Sequence, residues 1–137
     1  MGKLKLTSEW YFEYEDAITG PFLNSFPPGG LEWISGQIRN ASSPYLVVGD
    51  DTDAGFVIDE VFRKPVSVVT QDDNMVRFRT QLLTSECNGD HQKTCIFVEA
   101  GDSPETGIML NMLNQLWSKT DKMVLAVECR ITVQGAV

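Results

Sequence analysis

Side chains at both ends of this chain switch between apolar and polar with a period of two, which restricts those ends to pleated strands. Near the start, Leu4, Leu6, Trp10, Phe12 and Tyr14 fall on one side, and Lys3, Lys5, Thr7, Glu9, Glu13 and Glu15 on the other. Near the end, Leu125, Val127, Cys129, Ile131 and Val133 oppose Ala126, Glu128, Arg130 and Thr132. Each such strand offers one apolar face to a core and one polar face to water. A first strand is expected from Lys3 to Glu15, and a last one beginning near Leu125.

Between them the punctuation is dense. Asp16 to Pro21 and the run Pro27-Pro28-Gly29-Gly30 supply turn chemistry, with a brief second strand expected around Phe22 to Phe26. Leu31, Ile34 and Ile38 share one face of a short helix reaching about Asn40, a face that Trp33 extends. Tyr45-Leu46-Val47-Val48 reads as a buried central strand stopping at Gly49. The stretch from Phe56 to Phe62 has no clear period, and Pro65 breaks whatever precedes it. Val66 to Thr70 and Met75 to Leu83 read as a hairpin with Val76, Phe78, Thr80 and Leu82 inward. A further strand is expected over Cys95 to Glu99. Gly107 to Trp117 suits helix or strand and is assigned to strand because its neighbours are strands.

The 137 residues suit one domain, 1–137, and the pattern predicts a mainly β, antiparallel sandwich-like fold with one short α-helix. A net charge of −8 with no basic stripe argues against nucleic acid. No apolar run is long enough to span a bilayer, and the start lacks the apolar block of a secretion signal, so a cytoplasmic protein of its producing cell is expected.

Four groups of residues invite chemical readings. Gly101-Asp102-Ser103 after an apolar strand resembles the nucleophile block of GDSL esterases, but the single histidine, His91, precedes the serine and the family's later Asp-x-x-His is missing. Cys87, His91 and Cys95 are zinc-binding types spaced by four, yet Asn88-Gly89-Asp90 is turn sequence and no fourth ligand is evident beyond the inward Cys129. Asp50 to Gly55 gathers three carboxylates, a possible calcium loop. Counted from Asp51, however, the glycine is fifth and position twelve is Phe62, against the EF-hand pattern. Trp10, Trp33 and Trp117 are too scattered for a ligand platform. No catalytic residue, metal site or cofactor is therefore assigned.

The motifs in order form a longer string. It runs through Glu13-Tyr14-Glu15-Asp16-Ala17-Ile18-Thr19-Gly20, Gly30-Leu31-Glu32-Trp33-Ile34 and Pro44-Tyr45-Leu46-Val47-Val48-Gly49-Asp50-Asp51-Thr52. It continues through Asp59-Glu60-Val61-Phe62-Arg63-Lys64-Pro65-Val66, Glu86-Cys87-Asn88-Gly89 and residues 119–127. This string resembles small tail-associated proteins of tailed bacteriophages and prophages, encoded among tail, baseplate and tail-fibre genes. The resemblance implies a virion or tail-assembly component without catalytic residues. It further implies that Gly49 opens a loop and that the acid and arginine, here Glu60 and Arg63, recur before the hairpin; a pairing of these two is expected to be structural, pinning that loop to the sheet.

The expected function is thus a non-catalytic assembly or interaction module of a phage tail, its partners other tail proteins and copies of itself. Outward Tyr11 and Trp117 are the expected interface residues, and truncating Trp117 should weaken association without unfolding the monomer. Two alternatives stand beside it: a carbohydrate- or host-surface-binding domain whose acidic loop takes calcium, and the esterase.

Overall fold

The computed structural model describes residues 2–23 and 25–135; the side chains of Lys3 and Trp10 lie outside that description. The elements in chain order are β1 (Gly2–Leu6), β2 (Glu9–Glu13), β3 (Ile18–Leu23), α1 (Pro28–Arg39), β4 (Tyr45–Gly49), β5 (Glu60–Pro65), β6 (Val68–Asp72), β7 (Met75–Leu82), β8 (Gly89–Val98), β9 (Ile108–Lys119) and β10 (Leu125–Gly135). The fold is mainly β and sandwich-like, as the alternation predicts. One sheet has the order β1-β10-β7-β6 and a second β5-β4-β8-β9, while β2 and β3 pair only with each other. All pairings are antiparallel except that of β1 with β10.

The core forms where the two large sheets face. Val76, Phe78, Thr80 and Leu82 of β7 are buried, as the hairpin reading requires, and the apolar ones pack against Leu46, Val48 and Ile96 of the second sheet. The helix extends this cover through Ile38. It starts at Pro28, three residues before Leu31, because proline fixes the helical φ and its missing N–H is not needed in the first turn. Trp33 points away from the core and is 67% exposed, so it does not extend the apolar face.

The second sheet is covered on both faces, which explains why every residue of β4 is buried. Tyr45, Val47, Cys95 and Phe97 form a second cluster on its other face, joined by Ile58 and Ala100 from the flanking loops. Those loops, residues 50–59 and 99–107, replace a third layer. Their entry points need glycine. A Cβ at Gly49 would lie 2.5 Å from Ile58 Cγ1, and Gly107 combines a φ of +94° with a site 2.6 Å from Ala100 Cβ.

Three strand expectations change. The brief second strand expected around Phe22 to Phe26 runs instead over Ile18–Leu23, taking in part of the stretch read as turn. The long first strand is two strands belonging to different sheets, broken at Thr7 and Ser8. Its apolar side is not buried throughout: Phe12 is 51% and Tyr14 64% exposed. The strand expected at Cys95 begins six residues earlier, at Gly89, and carries His91 and Lys93 into the interior.

Candidate functional site

Three polar clusters sit on the second sheet, and each serves the loops around it. The first is Lys93. Its side chain is fully buried, and Nζ donates to Asp51 Oδ2 at 2.7 Å, to Asp53 O at 2.8 Å and to Val57 O at 2.6 Å. The acidic loop thus already encloses a cation, the chain's own ammonium, at the oxygens a calcium ion would take. The Asp59 N–H and the Lys93 ammonium hold the Asp51 carboxyl at about 2, well below the ordinary range. Because that folded value lies below the unfolded one near 4, the contribution is complete above pH 4 and lost as pH falls toward 2. Thermal melts of the native chain and of Asp51→Asn should therefore differ at neutral pH and converge between pH 4 and pH 2. A constant difference down to pH 2 would contradict the assignment.

The second cluster centres on Arg63 and Glu60, which form the expected ion pair, with Nη2 and Nε donating to Glu60 Oε1 and Oε2 at 2.8 Å each. A bulge makes it possible. Gly49 pairs with Glu60 but Val48 with Phe62, so Val61 is the extra residue, and Glu60 and Arg63 come to the same face. The loop they secure differs from the one expected: Arg63 Nη1 donates to Gly101 O, Thr106 O and Thr106 Oγ1, and Glu60 accepts from the Glu105 N–H. The guanidinium lies over the neighbouring Tyr45 and Phe97 rings, 5.7 and 5.6 Å from their centres. Tyr45 also donates to Asp102. Gly101-Asp102-Ser103 is consequently a tied-down turn. His91 lies near the start of β8 and Ser103 beyond its end, with about 23 Å from His91 to Val98 at strand spacing, so His91 does not reach the hydroxyl.

The third cluster, at the start of β8, has the outline of a thiol triad. His91 Nδ1 lies 2.7 Å from Asp50 Oδ1, and Nε2 lies 3.4 Å from Cys87 Sγ. Two features weigh against an activated thiol. Nε2 also faces the Cys87 carbonyl at 2.9 Å, an acceptor that competes with the thiol for that nitrogen. Burial pushes the Cys87 thiol up to about 11. Cys95 belongs to the opposite face, four residues or about 13 Å along the strand, so the three zinc-type residues do not converge. Among the described residues no group of three such side chains is placed to hold a metal.

The two expected interface residues separate. Tyr11 is 53% exposed on β2, its hydroxyl donating to Glu9 Oε2 at 2.8 Å. Trp117 is not an exposed surface residue: its ring packs against the main core and His91, and Nε1 donates to Thr94 Oγ1 at 2.7 Å. Truncating it would open the core, so the expectation of an intact monomer does not hold for this position.

The β2–β3 hairpin is open to a partner. It is a sheet of its own, and Tyr11, Phe12, Tyr14, Ile18, Phe22 and Leu23 are all between 50% and 64% exposed. The Phe12 and Phe22 rings pair with each other at 5.9 Å instead of entering the core. Sequence reasoning missed this site because alternation says which residues share a face, not whether anything covers it. No family model and no curated protein matches the chain.

Proposed function

We propose that this protein is an assembly module that works by joining copies of itself and neighbouring proteins, without bond-breaking chemistry. The observation that supports the reading most directly is the uncovered hairpin. Two strands alone are marginal in water, and a third strand or a packed layer is normally needed to hold them. Here six large apolar side chains on such a pair face solvent.

The surface area agrees in size. A compact monomer of 15.3 kDa exposes about 7,100 Å². This chain exposes 8658 Å². The excess, about 1,500 Å², is on the scale of a specific protein interface. The order of motifs along the chain supports a more specific proposal, a component of a phage or prophage tail. The carbohydrate-binding alternative loses the support of its calcium loop, because Asp51 is engaged by Lys93.

Sedimentation of the native chain against a variant lacking residues 9–23 tests the assembly reading. The native chain is expected to be oligomeric and the shortened chain a folded monomer. Equal masses for the two would contradict a role for the hairpin. For the tail proposal, the protein should co-purify with intact particles from the producing cells, and its absence from both particles and assembly intermediates would refute it.

A further inference from the structure

The hairpin requires a receiving surface, and one side of the sandwich has the form of one. β1 runs beside β10 only from Ile131 to Gly135. Residues 125–130 therefore have β7 on one side and, among the described residues, no strand on the other. β9 is the edge of the facing sheet, and its residues 108–118 carry no charge, although exposed edges are usually guarded by charge. Between these free edges lies a groove of about 340 Å³ lined by Leu46, Phe78, Ile96, Met112, Leu113 and Val127. Glu128 and Arg130 line it as well.

Resting on the assembly reading, we infer that this groove receives the β2–β3 hairpin of a second copy, which adds a strand beside residues 125–130 and seats Phe12 and Phe22 between the sheets. Length, volume and charge all match. β2 has five residues and β3 six, against the six unpaired positions of β10. The groove is about twice the ~150 Å³ cavity that accommodates one benzene ring, which suits a pair of phenyl rings. Residues 9–23 carry Glu9, Glu13, Glu15 and Asp16 and no basic side chain. Beside the groove, Glu128 pairs with both Arg79 and Arg130, and Arg77 is close enough to act on it electrostatically, which places three guanidinium groups at this edge. Arg77 Nε is buried without a hydrogen-bond partner.

The occupant is a second copy because the chain's own hairpin starts at the wrong end. Leu6 lies beside Gly135, and only Thr7 and Ser8 separate it from β2, whereas Cys129 is six residues back along β10, about 20 Å away. Each copy then gives one hairpin and receives one. Such head-to-tail contacts close into a ring or extend as a filament. Two contacts of about 800 Å² per copy match the excess surface.

Disulfide trapping between two preparations tests the inference. Phe22→Cys in one and Leu113→Cys in the other, mixed and oxidised, should give a dimer joined through the two introduced cysteines, identified by peptide mapping; both positions are half exposed, so the monomers should fold. A disulfide from Phe22→Cys to the native Cys129 of another chain would count equally, since Cys129 also lines the groove. Arg79→Glu with Arg130→Glu should weaken self-association at least tenfold. If the native chain is oligomeric but no groove disulfide forms between chains, the receiving site is wrong while the assembly reading stands. A monomeric native chain overturns both, and a Phe22→Cys to Cys129 disulfide within one chain overturns the second-copy assignment.

Discussion

Replacing Lys93 with methionine is expected to lower stability by about 3–5 kcal/mol, the cost of breaking a buried ion pair by removing one partner. Methionine matches the length of the lysine stem but returns nothing to Asp51 Oδ2, Asp53 O or Val57 O, each of which accepts from the ammonium. Lys93 is wholly buried beneath the loop, so its ammonium is the partner these oxygens have on the inner side. The loop therefore opens, exposing Ile58 and the second cluster of Val47, Cys95 and Phe97. The expected readout is a fall of roughly 10–20 °C in the melting midpoint, together with rapid labelling of Cys95, a thiol that burial otherwise holds at about 11. Combining Lys93→Met with Asp51→Ala should cost less than the two separate losses together, since neither change then strands a charge. Full additivity would mean that the pair does not interact.

Removing Arg63 is expected to have an effect of similar size through a different loop. Arg63→Ala strands the carboxylate of Glu60, which is 8% exposed, and frees the carbonyls of Gly101 and Thr106. A loss of about 3–5 kcal/mol follows. The geometry makes a sharper prediction for Arg63→Lys: one ammonium cannot span Glu60 on one side and Gly101 with Thr106 on the other, so lysine should recover less than half of the loss. Urea midpoints give the energies, and limited proteolysis within residues 99–107 shows where the structure opens. A Lys variant as stable as the native chain would show that charge alone, rather than the forked geometry, holds the turn.

The parts of this fold legible in the sequence are those where one local rule and the tertiary context agree. Val76, Phe78, Thr80 and Leu82 alternate beside a turn and are buried; Tyr45 to Val48 is a continuous apolar run and lies in a strand covered on both faces. β9 is equally apolar as helix or strand, and the strands on either side of it in sequence point to the strand that forms. Where a residue breaks its own pattern, the sequence misleads. Lys93 shares a face with Cys95 and Phe97, the signal that marks it as an internal cation, but a strand expected only from Cys95 leaves it outside the pattern. Glu60 and Arg63 are three apart on a strand and would face opposite ways without the bulge at Val61, a feature no periodicity reveals. The break at Thr7 and Ser8 leaves one mark in the sequence, a serine at an apolar position of an alternation that otherwise resumes in phase, and the separate hairpin is hidden with it. Trp117 was judged by residue type, whereas its environment depends on the fold of β9 against His91 and Thr94.

The account stands on the claim that the uncovered apolar hairpin is one half of a contact between molecules. Sedimentation equilibrium of the intact chain over a wide concentration range measures this directly. The account predicts a mass that rises well above 15.3 kDa as concentration increases and stays at the monomer value in a Phe12→Ser, Phe22→Ser variant that remains folded. A native chain that keeps the monomer mass at every concentration would contradict it.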